Sequence, residues 1–371
     1  MPTVFFAFRD APDRRAALRT PGALDRYRLF GLDEIQARGA GVRHNLERET
    51  RGWARAVDAV VNRLLRAFGG YGGDFATILS ALRTANESDV VFATSDTVGL
   101  PIVLLKRVGL VKPPIVYAAI GLPERLAQLR GRPMRRLYAR ALRGAHSIIA
   151  YSAAEARHVQ AWIGAGADVR FVPFGVDVHA FAPGRNGEPS VDVVSIGADP
   201  RRDVELLLEV AAAQPQLGFR IVTTPERARS LGAVPANVIL ETGIPLERVR
   251  DRLAEARVVA LPVQRNTYSG ATTVLLQAMA LAKPVVVSRT DAIADGYGLE
   301  DRVNCRLVEP GDGAAFEQAL LETVAGAEAS VSLGIRAREL VERNFSWERY
   351  TNALWEILLA ASGVPERLRA S

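Results

Sequence analysis

The chain has 371 residues, enough for two ordinary domains and too many for a single core. It is 49% apolar, yet no apolar run approaches the ~20 residues that span a bilayer; its single cysteine, Cys305, rules out an internal disulfide and fits a reducing compartment. Residues 1–180 hold 26 Lys/Arg against 16 Asp/Glu and residues 181–371 hold 21 against 25, so the first half suits a negatively charged partner.

The opening run Val4–Phe8 follows no positive region and reads as a first strand rather than a signal peptide. Further strands are predicted at 42–45, 90–94, 115–119, 147–151 and 170–172. Helical patterns fall near 30–38, 53–67, 74–86, 98–109, 134–143 and 153–163. After the turn-rich stretch from Pro173 to Ser190 the pattern restarts, with strands at 191–197, 219–223, 237–240, 257–261 and 284–288. Helices are expected near 203–213, 246–254, 314–325, 334–344 and 347–361. Alternation of this kind, twice over, implies two α/β domains, each a parallel sheet with helices on both faces. Four scattered histidines and no Cys-x-x-Cys give no metal-binding pattern, and no metal is expected.

The segment Arg265–Thr290 carries the most information. Thr267, Tyr268, Ser269 and Gly270 break a strand, and Thr272 or Thr273 can cap the helix that follows. Val274, Leu275, Leu276, Ala278, Met279 and Leu281 make that helix apolar on most sides. Lys283-Pro284 then stops it ahead of the buried run Val285–Val287. A helix that starts from a small-residue loop at the carboxyl edge of a parallel sheet offers free N–H groups to an anion.

This segment resembles the signature of retaining family 4 glycosyltransferases, with Leu275-Leu276-Gln277-Ala278-Met279-Ala280 aligned on the family's LLEAMA. The resemblance implies a GT-B fold of two Rossmann-like domains facing across a cleft, with the C-terminal helix crossing back to the first. It divides the chain into an acceptor domain (1–175), a nucleotide-sugar donor domain (176–345) and that final helix (346–371). Pro173-Phe174-Gly175-Val176-Asp177 is similar to the family's interdomain NGVD string. Both motif glutamates are replaced, by Ser269 and Gln277, and Ala198 stands where an arginine is expected. Arg202 aligns with the family's lysine. Arg201, Arg202, Ser269, Gly270, Ala271, Thr272 and Thr273 are thus expected around the donor diphosphate. Gly243-Ile244 resembles the turn that reads the nucleobase through its backbone. Gln277 is expected on the ribose, the alternative being a polar helix residue facing solvent. The donor would be a UDP- or GDP-linked sugar, with no separate cofactor.

In the first half, Gly69, Gly70, Gly72 and Gly73 precede a helix and are expected to wall the cleft, with plain flexibility as the alternative. Asp96 and Glu124 follow strand ends and are the candidates for catalysis or acceptor binding. The segment Arg130–Arg143 alternates apolar residues with arginines and suits an anionic membrane surface, as in several monotopic members of the resembled family. The expectation is therefore a cytoplasmic glycosyltransferase, peripheral on the inner face of the membrane, acting on a sugar or lipid-linked acceptor. A catalytically inactive relative is the second reading, because the motif acids are lost. Nucleic acid is not an expected partner, since the aromatics are not interleaved with the basic residues.

Overall fold

The computed structural model describes residues 1–20, 24–184, 189–268 and 270–363, so Ser269 and part of the predicted linker lie outside the described residues. Two compact units form, one from Met1–Val172 with the chain from Thr351 onward, the other from Pro173–Tyr350.

Unit 1 holds β1 (Thr3–Ala7), β2 (Gly41–His44), β3 (Val90–Ala93), β4 (Ile115–Ala119), β5 (Ser147–Ala150) and β6 (Val169–Phe171), in the order β2-β1-β3-β4-β5-β6. Every pairing is parallel. The four central strands are apolar on both faces because helices cover both, and the main core gathers around Phe5, Val91, Ile115, Tyr117 and Ile148. Several helices start on a side-chain cap: Asp74 accepts from Thr77 N at 2.9 Å, and Ser152 from Glu155 N at 3.2 Å. The final helix, Trp347–Ser362, contributes its later turns to this unit; Thr351 lies over Gly31, and Arg38 donates to Asn352.

Unit 2 holds β7 (Val191–Ile196), β8 (Phe219–Thr223), β9 (Val238–Thr242), β10 (Ala256–Leu261), β11 (Val285–Ser288) and β12 (Arg306–Val308). Their order is β12-β11-β10-β7-β8-β9, again all parallel. β12, a strand of three residues, was not predicted. The strand order reverses between β7 and β10, the place where open sheets of this class leave a crevice at their carboxyl ends.

The helix Thr272–Ala280 starts beside that reversal and is fixed from behind. The helix Ala327–Asn344 lies so close that a Cβ on Gly334 would stand 2.0 Å from the Ala282 carbonyl oxygen, and Arg338 donates to the carbonyl of Ala280. Gly334→Ala is therefore expected to cost about 1–3 kcal/mol by overpacking, read as a lowered midpoint in denaturant unfolding. An unchanged midpoint would mean that the two helices separate without cost.

Candidate functional site

The loops after β7 and β10 are tied to each other by their backbones. Gln264 N donates to Arg201 O at 2.8 Å and Asp203 N to Pro262 O at 3.1 Å, while Arg202 and Val263 form an antiparallel bridge. The pairing carries Arg202 inward. Its side chain is 4% exposed and folds against Gly197, where a Cβ would meet Nε at 2.5 Å, so only glycine leaves it room. Nε and Nη1 have no hydrogen-bond partner. Burial lowers the Arg202 pKa to about 10, opposed by the charge of Asp199 and by Tyr268, and the group stays cationic at neutral pH. Asp199 is occupied elsewhere: Oδ1 accepts from Tyr268 Oη at 2.9 Å and from Arg201 N at 2.7 Å.

Of the residues expected here, Arg202, Gly270, Ala271 and Thr272 come together. Gly270 lies against the Asp199 carboxylate and Ala271 precedes the helix. Thr272 and Thr273 do not cap it, contrary to expectation: no side chain closes the helix start. Thr272 is already inside the first turn, with its hydroxyl buried and unpartnered. Arg201 points outward and is exposed. Gln277 is 3% exposed, which removes the reading of a solvent-facing residue. Gly243 follows β9, the edge strand two places from β7, with φ +65° and open space where a Cβ would be; Ile244 beside it is half-buried.

A second polar cluster lies at the carboxyl edge of unit 1. Asp96 opens the helix Asp96–Arg107 after β3, is 3% exposed, and accepts at Oδ1 from Tyr117 Oη at 2.7 Å and Ile120 N at 3.2 Å. Glu155, fully buried, accepts at Oε1 from Gly121 N at 2.7 Å and Leu122 N at 3.1 Å. Three successive amides of the turn after β4 are thus shared between two carboxyl groups, and Oδ2 of one and Oε2 of the other are buried without partners. Burial raises Asp96 to about 7 and Glu155 to about 8, the charge of Asp96 adding to the second. Glu124 is half-buried in the next turn, near enough to act on Glu155 electrostatically. Glu155 was missed because Ser152-x-x-Glu155 reads as a helix capping pattern, whereas its carboxyl reaches back to another loop.

The glycines at 69–73 are packed rather than loose. Asn62 brackets Gly73, accepting from its N–H at 3.0 Å and donating to its carbonyl at 2.9 Å, and a Cβ on Gly72 would fall 1.8 Å from Asn62 Oδ1. Gly69 O accepts from Arg130 N at 2.8 Å, and Tyr138 donates to Tyr71 O. The loop walls a hollow of about 850 Å³ within unit 1. In the Arg130–Arg143 segment, Tyr138, Ala141 and Leu142 are buried, and Met134 and Leu137 pack on the same core. The apolar side of that helix therefore belongs to the fold, and only its arginines remain outside. Among the described residues no His, Cys, Asp or Glu cluster fit for a metal occurs, and no helix is long and apolar enough to cross a membrane.

Residues 191–325 match the family model described as glycosyl transferases group 1. The match contains Arg202 and the whole helix Thr272–Ala280. Sucrose-phosphate synthase from Thermosynechococcus elongatus superposes with a TM-score of 0.71 at 16% identity, over 97% of this chain and all of that one. An Anabaena protein, HepE in complex with UDP-glucose, gives 0.71 at 15% identity over the same shares. The fold is GT-B. A curated relative, an MMP α-(1→4)-mannosyltransferase of Mycolicibacterium hassiacum, is 29% identical over 189 residues, 48% of this chain and 44% of the relative. The match thus spans less than half of that relative. Together these likenesses show the fold, and in residues 191–325 a similarity to the glycosyl transferases group 1 model.

The carboxyl pair of unit 1 makes stability depend on pH. The unfolded chain releases these protons near pH 4, whereas the folded chain keeps them up to about 7 and 8. Unfolding therefore releases protons in that window, and stability falls as pH rises through it. Unfolding free energies measured across this range should decline, and Asp96→Asn with Glu155→Gln should flatten the decline. An equal slope in both proteins would show that neither carboxyl is held neutral.

Proposed function

We propose that the protein is a retaining glycosyltransferase, moving a sugar from a UDP- or GDP-linked donor held by unit 2 to a sugar or lipid-linked acceptor held by unit 1. The observation that carries this reading is the Arg202 guanidinium, buried at the strand-order reversal with two of its nitrogens, Nε and Nη1, unsatisfied. A diphosphate oxygen placed there would take charge-assisted hydrogen bonds that no protein group supplies. The free amides and the Thr272 hydroxyl at the start of the helix add donors on the same anion. In a same-face displacement the glycosidic bond to the diphosphate breaks as the acceptor oxygen bonds to the same carbon. The acceptor's proton passes to the departing phosphate, so the protein need supply no carboxylate nucleophile and no metal. What it supplies is fixed positive charge where negative charge develops. Gln277 would hold the ribose hydroxyls, and the backbone at Gly243-Ile244 the base.

A second reading, a nucleotide-binding relative without turnover, rests on Gln277 and Ser269 standing at the motif's acid positions. Calorimetric titration with UDP and GDP, together with an assay of donor hydrolysis, separates the two: binding without hydrolysis or transfer would favour the second.

Arg202→Ala should weaken nucleoside-diphosphate binding roughly ten- to a hundred-fold, the range of a charge-assisted contact. An unchanged dissociation constant would remove Arg202 from the site. Gln277→Glu should keep or improve nucleotide affinity, whereas Gln277→Leu should lose about 1–3 kcal/mol by leaving buried hydroxyls unpaired. Equal affinities for the wild type and both variants would show that the ribose is not held at Gln277.

A further inference from the structure

The helix Gly52–Ala67 is apolar on two sides. Ala54, Val61 and Leu65 face the core of unit 1. Trp53, Val57, Val60, Leu64 and, just beyond the helix end, Phe68 are spaced by three and four residues and form one stripe on the outside. They are 40–68% exposed in the whole chain. A helix packed on one side should be polar on the other, and a continuous outer stripe ending in Trp and Phe marks a contact surface.

The charge beside the stripe says what covers it. Arg51, Arg55, Arg63 and Arg66 occur in this stretch against one acid, Asp58, whose Oδ1 accepts from Phe75 N at 2.8 Å. At the helix's carboxyl end opens the hollow of about 850 Å³, with Arg66, Arg130, Asn62 and Gln128 in its lining. A second copy of the chain would bring arginines against arginines, which opposes association. A bilayer with anionic headgroups satisfies both parts, taking the stripe at its acyl boundary and the guanidinium groups on lipid phosphates.

We propose that the helix Gly52–Ala67 lies in the interface of an anionic membrane, with Trp53, Val57, Val60, Leu64 and Phe68 inserted and Arg66 and Arg130 bound to lipid phosphate. The contact thus centres on this helix rather than on the arginine-rich segment 130–143, whose apolar residues are in the core. The proposal stands independently of the donor chemistry on unit 2.

The test uses the full chain with vesicles of phosphatidylcholine alone or mixed with phosphatidylglycerol. The wild type should sediment with the mixed vesicles at low salt and not with the neutral ones. Val60→Glu with Leu64→Glu should lower the bound fraction at least about ten-fold, with UDP affinity unchanged. Arg66→Gln with Arg130→Gln should weaken binding and reduce its salt dependence. Trp53 fluorescence should shift to the blue on adding mixed vesicles, and Trp53→Phe should abolish the shift; this readout decides the matter if the glutamate variant fails to fold. Absence of wild-type sedimentation, equal binding by the glutamate variant, or no Trp53 shift would overturn the proposal. So would a wild-type dimer that the glutamate variant separates.

Discussion

Arginine cannot shed its proton at neutral pH, so burying one without a paired acid leaves a charge that the fold itself does not neutralise. Unit 2 is arranged around such a group. Gly197 makes space for the Arg202 side chain, the two loops after β7 and β10 zip together to hold it inside, and Asp199 is held by Tyr268 and by a backbone amide. The close packing of the helix Ala327–Asn344 fixes the helix Thr272–Ala280 beside it. Each of these features keeps a cation in place: Asp199 acts on it only through its charge, and Nε and Nη1 are left without hydrogen-bond partners.

Unit 1 meets the same difficulty with the opposite sign and resolves it differently. Asp96 and Glu155 are also buried at the carboxyl ends of parallel strands, but a carboxyl group can keep its proton. Backbone amides at Ile120, Gly121 and Leu122 satisfy one oxygen of each, and the other is buried without a partner, where burial favours the protonated group. The two units share a topology of parallel strands, yet one holds a fixed charge and the other an adjustable one.

The strands and most helices were legible in the sequence because buried parallel strands are short unbroken apolar runs between turn signals. The turns after β7 and β10 were legible too, since small residues and hydroxyls interrupt the apolar runs there, although of the two arginines expected beside them Arg202 is buried and Arg201 exposed. What stayed hidden depended on which way a side chain points in three dimensions. Glu155 has the spacing of a cap, and only the folded chain brings it to the amides of Gly121 and Leu122. The 130–143 segment has an amphipathic pattern that suits a membrane or a protein core equally, and Tyr138 and Leu142 face the core. The helix Gly52–Ala67 was legible only in part. Its pattern gave a helix near 53–67 but not that one apolar side stays exposed, because periodicity counts apolar positions without saying how many of them find a neighbour.

The buried charge at Arg202 also sets stability against use. A side chain of similar length without charge, such as methionine, would fill the same space and avoid the desolvation penalty, and exchanges of this kind in protein interiors are often neutral or stabilising. A campaign that selected variants of this chain for heat resistance alone would drift toward Arg202→Met. It would arrive at a sturdier molecule that had discarded the proposed grip on its substrate, the familiar exchange of robustness for activity.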